Sequence, residues 1–140
     1  MVVITRRAEF SASHFCANPA LSDEENARLY GKAARPSGHG HNYVIEVSLS
    51  GDIDPVSGMI LDLKDLKQII NREVVDVYDH RFLNHEVEPF DKVVPTAENI
   101  ARDVWDRLVA PIRDCGQRLH SIRLYESTDL FVDYSGPEPL

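Results

Sequence analysis

The sequence predicts an α+β fold, a four-stranded antiparallel sheet covered on one face by two helices, and three observations carry this. Apolar residues alternate with polar ones near both ends of the chain. They recur at helical spacing in the middle. The resulting order is strand, strand, helix, helix, strand, strand. The chain of 140 residues suits one domain, spanning 1–140, and its 43% hydrophobic and 27% charged residues are those of an ordinary globular protein with one modest core.

The first strand runs from Val2 to His14. Ile4, Ala8, Phe10, Ala12 and His14 share one side of it because successive side chains alternate, and only Arg6 breaks the pattern. Within the long connection that follows, Leu21 to Leu29 reads as a short helix with Asp23, Glu24 and Glu25 near its start. The second strand begins at His39 and reaches Ser50, with Tyr43, Ile45, Val47 and Leu49 on the same side as His39 and His41. Gly51 to Gly58 then forms an irregular turn.

Asp62 caps the first main helix and Asp65 lies in its first turn, while Leu63, Leu66, Ile69, Ile70, Val74 and Val77 make its apolar stripe. Pro95 and Thr96 start the second, whose Ile100, Val104 and Leu108 line one face, with Ala101 and Trp105 alongside, until Pro111 interferes. Ile122, Leu124 and Glu126 alternate with Arg123 and Tyr125. Ser127-Thr128-Asp129 then turns the chain into Leu130 to Tyr134, and this hairpin closes the fold. Such a sheet leaves two open edges, which are commonly closed by neighbouring subunits.

The formal net charge of -8 leaves no basic stripe for a nucleic-acid backbone. No apolar run approaches the length of a membrane span, and the first residues lack the order of a secretory signal, so a cytoplasmic location is expected. Cys16 and Cys115 are too few and too far apart for a disulfide framework and read as thiols.

His39-Gly40-His41 places two imidazoles on one face of a strand. His14 ends the inward face of the neighbouring strand, and Gly38 and Gly40 allow close backbone approach. Three neutral imidazoles with an open fourth position describe a catalytic zinc (Zn2+) rather than a closed structural one. Glu126 ends an apolar strand face and needs a donor, either an arginine of this chain or the N–H edge of a heterocycle. Glu98 is either a helix-start charge or a ligand group. Asp79-His80 reads as a solvated turn or as a proton-transfer pair, although adjacent residues seldom bond well in extended chain. His85 and His120 read as surface or packing residues.

Several segments together resemble one family. Phe10-Ser11-Ala12-Ser13-His14, Asp23-Glu24-Glu25-Asn26 with Tyr30-Gly31-Lys32, and Pro36-Ser37-Gly38-His39-Gly40-His41-Asn42-Tyr43 look like the first half of 6-pyruvoyltetrahydropterin synthases. Gly51-Asp52-Ile53-Asp54-Pro55, Gly58-Met59, Asp65-Leu66-Lys67, Asp79-His80, Thr96-Ala97-Glu98-Asn99 and Tyr125-Glu126-Ser127 continue the match in order.

The resemblance implies the tunnelling fold, in which subunit sheets join into a barrel and two rings stack as a homohexamer, a dimer of trimers, with sites at subunit boundaries. It implies zinc on His14, His39 and His41, acting on the side-chain hydroxyls of 7,8-dihydroneopterin triphosphate. Glu126 would anchor the pterin with support from Glu98 and Thr96, and Asp79 and His80 would form a proton relay. The products would be 6-pyruvoyltetrahydropterin and inorganic triphosphate.

The departure is Ala33. The family places a general-base cysteine just after the Gly-Lys pair, and here Gly31-Lys32 is followed by an alanine, which takes no proton. Three readings stay open: a pyruvoyl-forming lyase impaired at this position, a relative that makes 6-carboxytetrahydropterin, and a zinc- and pterin-binding homologue without turnover. The connection from Asn18 to Lys32 resembles the pyruvoyl branch. Cys16, two residues beyond His14, is expected to leave the strand face because Asn18-Pro19 follows.

Overall fold

Residues 1–138 are described in the computed structural model of this chain. β1 (Val2–His14) and β2 (His39–Gly51) pair antiparallel along their whole length, from Val2 opposite Gly51 to His14 opposite His39. The alternation that defines the strands also defines the core: Phe10 and Ala12 of β1 are buried with Tyr43, Ile45, Val47 and Leu49 of β2. β4 (Arg118–Ser127) lies on the other side of β2, and β5 (Leu130–Tyr134) returns beside β4.

Among the described residues the sheet has five strands, not four; with β3 (Arg81–Phe82) added, the order is β3-β1-β2-β4-β5. The additional strand, β3, pairs parallel with Ala12 and Ser13 alone. A two-residue strand has no alternation to display, so the sequence could not announce it. The sheet is open in the single chain, and β3 covers only the end of β1.

Two main helical segments cover one face. α2 (Leu63–Ile70) starts at Asp62, whose carboxylate accepts the Lys64 N–H at 2.8 Å, and it buries Leu66, Ile69 and Ile70. It continues through a π-helical stretch (Asn71–Val75) into the single turn α3 (Asp76–Tyr78). Tyr78, four residues after the buried Val74, is fully buried, and Val77 beside it is partly buried against the same core. Tyr78 and Tyr43 flank Phe10, each with ring centroids 5.1 Å from it.

After the short α4 (Leu83–Glu86), α5 (Ala97–Asp114) starts at Thr96, whose hydroxyl accepts the Asn99 N–H at 3.3 Å. Its apolar stripe includes Ile100, Val104 and Leu108, and it runs past Pro111 to Asp114, beyond the expected end. Pro111 lies in the last turn, where its missing N–H removes one helical bond, and the burial of Ile112 carries the stripe on past Leu108.

α1 (Asp23–Tyr30) occupies the long connection and begins with a reciprocal cap. Ser22 accepts the Glu25 N–H, and the Glu25 carboxylate accepts the Ser22 N–H. Asn26, the buried residue of this helix, accepts from the Asn18 N–H at 2.8 Å and donates to the Asn18 carbonyl at 3.1 Å. These bonds tie α1 to the start of the connection at Asn18. Among the described residues, no helix is long and apolar enough to cross a membrane.

Candidate metal centre and active site

The centre forms where β1 ends and β2 begins. His14 and His39 stand directly opposite each other, and His41 lies two residues further along the same face of β2. Their ring centroids are 4.6, 4.9 and 5.2 Å apart pairwise, and one ligand nitrogen from each lies within 4.8 Å of the others. Strand alternation therefore aims all three imidazoles at one point.

His14 is almost completely buried, at 1% exposure. Its Nδ1 lies 2.7 Å from the Pro95 carbonyl oxygen, an acceptor only, so the proton resides on Nδ1 and the lone pair on Nε2. Tyr43 Oη lies 3.4 Å from that Nε2. Burial is the main reason the His14 pKa falls to about 4; His39 and His41 lower it further, against the Pro95 carbonyl. Burial also lowers the pKa of His41, against the charge of Glu126. His41 Nε2 is buried without a hydrogen-bond partner. A fixed tautomer, imidazoles held neutral and an orphaned ring nitrogen at one point are a donor set that fits a divalent ion with an open coordination position.

Glu126 stands beside this centre. In the hairpin Tyr125 pairs with Phe131 and Ser127 with Leu130, so Glu126 is the extra residue of a β-bulge. Its Oε1 lies 3.5 Å from His41 Nε2, and among the described residues no arginine pairs with it. Glu126 and Glu98 both act on the buried Cys16, whose pKa rises to about 11 chiefly through burial. Glu98 lies in the first turn of α5, two residues after Thr96 and three after the Pro95 carbonyl that holds His14. The Thr96 hydroxyl serves as the helix cap.

Ala33 sits in the 3-10 turn Gly31–Ala34 and lines a cleft with Ser37, Gly38 and His39. Its carbonyl accepts the Cys16 N–H at 2.7 Å. β1 ends at His14, as the following Asn18-Pro19 led one to expect, yet Cys16 is still buried, so the burial alternation of Phe10, Ala12 and His14 continues for one more step. Two contacts hold the chain just past His14: this bond to Ala33, and the buried Asn84, which accepts the Phe15 N–H and donates to the Phe15 carbonyl. Of the two glycines, only Gly38 is sterically required. It has φ +73°, and a Cβ there would lie 2.8 Å from Phe82 Cζ, whereas at Gly40 the nearest neighbour would be 3.4 Å away.

Asp79-His80 is not part of the histidine cluster but is pinned to the edge of β1. The Ser11 N–H donates to Asp79 Oδ1 at 2.8 Å, and the His80 N–H donates to the Ser11 carbonyl at 2.6 Å. His80 has φ +60°, and Nδ1 of its ring lies 2.9 Å from Asp79 Oδ2. The pair is bonded because its backbone is not extended, which removes the objection the sequence raised. The Ser11 N–H first, and His80 second, hold the Asp79 carboxyl below its ordinary pKa. His80 is largely exposed, in a cleft it shares with Ser11, Asn42 and Glu86. His85 stacks on Phe82 at 4.6 Å, a packing role.

The model of the 6-pyruvoyl tetrahydropterin synthase family matches residues 3–137. The chain belongs to this family. It is 42% identical over 135 residues to 6-pyruvoyl tetrahydrobiopterin synthase from Homo sapiens, covering 95% of this chain and 90% of the relative. A putative 6-carboxy-5,6,7,8-tetrahydropterin synthase from Archaeoglobus fulgidus is 36% identical over 95 residues, 68% of this chain and 73% of the relative. The structure of Caenorhabditis elegans 6-pyruvoyl tetrahydropterin synthase superposes with a TM-score of 0.92 at 38% identity, covering 97% of this chain and 96% of that one. Membership in the family agrees with the order of motifs along the chain and with an α+β fold.

Proposed function

We propose that this chain is the scaffold of a zinc-dependent 6-pyruvoyltetrahydropterin synthase-type lyase that takes 7,8-dihydroneopterin triphosphate and releases triphosphate. The observation that carries the proposal is the convergence of His14, His39 and His41, with Pro95 fixing which nitrogen of His14 is free. Zinc, when held by these three, supplies Lewis-acid polarisation and acidification of the substrate's side-chain hydroxyls.

The chain's own residues supply recognition and proton movement. Glu126, on its bulge, offers two acceptor oxygens to the amino and ring N–H edge of the pterin, with Glu98 and Thr96 in support. Asp79 stays ionised under the Ser11 N–H and keeps the His80 proton on Nδ1, which leaves Nε2 as the proton acceptor. The relay lies at Ser11 beside the short β3, which pairs only with Ala12 and Ser13 of β1, and the sheet is open in a single chain. We therefore place the working site at subunit boundaries of a homohexamer, a dimer of trimers, in which sheets close into a barrel.

Ala33 favours a second reading, a zinc- and pterin-binding homologue without turnover, since the residue beside His39 cannot move a proton. Triphosphate release by zinc-loaded protein and by its Ala33→Cys variant separates the two. A base restored at this position raises the rate by roughly a hundredfold or more. No release from either form contradicts the lyase reading, and product mass separates the pyruvoyl from the carboxy product.

A further inference from the structure

We infer that Lys32 and Arg35 form the receptor for the polyphosphate tail of the substrate, an inference that rests on the pterin triphosphate reading above. Both cations project from the turn after α1 and line the cleft that also contains Ala33, Ser37, Gly38 and the zinc-ligand candidate His39. Among the described residues, no carboxylate lines that cleft. The turn also lines a second cleft, again with both cations, to which Asp23 contributes the single acid among the described residues.

The backbone that carries these side chains is held by hydrogen bonds. Arg35 N–H donates to the Lys32 carbonyl at 3.3 Å, Gly38 N–H to the Arg35 carbonyl at 2.9 Å, and Cys16 N–H ties Ala33 to the end of β1 at 2.7 Å. Both cationic side chains are exposed, and among the described residues neither forms an ion pair. By contrast, Arg107 and Arg123 are committed to Asp103 and Asp133.

A ligand whose hydroxyls reach the histidine centre brings its phosphates within a few ångströms of His39. The chain carries a net charge of -8, and Glu126 and Glu98 lie near the centre. Such a tail is therefore repelled unless cations meet it locally. Arg35 offers a planar fork that matches phosphate oxygens, Lys32 a compact charge, and the Ser37 hydroxyl a further donor on the same wall.

The test is binding of 7,8-dihydroneopterin triphosphate and of unphosphorylated 7,8-dihydroneopterin to zinc-loaded protein, before and after the double substitution Lys32→Gln and Arg35→Gln. Both residues are exposed, so circular dichroism and zinc content are expected to be unchanged. The Kd for the triphosphate is expected to rise at least about tenfold and to lose most of its salt dependence, while that of the unphosphorylated ligand stays the same. Equal triphosphate affinity in both forms overturns the inference and leaves the pterin reading intact. If the unsubstituted protein binds neither ligand, both fall.

Discussion

The Pro95 carbonyl oxygen lies 2.7 Å from His14 Nδ1, which joins the start of α5 to the last residue of β1 and settles which ring nitrogen of His14 is free. This contact links the packing of a helix to the chemistry of the centre, because any shift of α5 along the sheet turns the His14 ring.

Burial of a neutral His14 makes the metal-free protein sensitive to acid. The folded pKa of about 4 lies below the ordinary value of 6.5, so below pH 6.5 the unfolded chain binds the extra proton. The stability associated with this group is complete above pH 6.5 and is lost as pH falls toward 4. Urea unfolding of chelator-treated protein at pH 7 and at pH 4.5 is expected to differ by on the order of 2 kcal/mol from this group. His14→Gln is expected to remove most of that difference.

Gly38 closes the approach between the β2 entry and the end of β1. A methyl group would meet Phe82 Cζ at 2.8 Å and the His14 carbonyl at 3.0 Å, on a backbone at φ +73°. Gly38→Ala is therefore expected to cost about 1–3 kcal/mol in thermal or urea unfolding and to lower zinc occupancy by displacing His39. Gly40→Ala, with 3.4 Å of clearance, is expected to keep both close to the parent values.

The two thiols differ in environment. Cys115 is exposed, whereas Cys16 is buried and its pKa is pushed up to about 11, so little thiolate exists there at neutral pH. Titration with a thiol reagent at pH 8 is expected to count one reactive cysteine in folded protein and two after denaturation. Rapid reaction of both in the folded state contradicts the placement of Cys16.

Much of the fold was legible because its main elements carry strong periodicity. The alternation through Phe10, Ala12 and His14, and from His39 to Leu49, fixed both long strands and the face on which the histidines lie. Asp62 and Thr96 marked helix starts that the structure uses as caps. The failures come from features that have no side-chain pattern. A two-residue strand at Arg81–Phe82, a π-helical stretch at Asn71–Val75, and a helix that passes Pro111 each depend on tertiary packing.

The site divides in the same way. Residue types and spacing pointed to the three imidazoles. The Pro95 carbonyl that orients one of them is a backbone group shared by every residue and leaves no mark in the sequence. Cys16 could have been found by extending the alternation two positions beyond His14. The bond within Asp79-His80 follows from the positive φ of His80, which the residue type does not announce.

The most direct test of the account is zinc stoichiometry in protein purified without chelator, measured by elemental analysis together with His14→Ala, His39→Ala and His41→Ala variants that remain folded. The account predicts about one zinc per chain in the parent and a large loss in each variant. A parent without bound zinc that gains none on reconstitution, or variants that keep full occupancy, would contradict it.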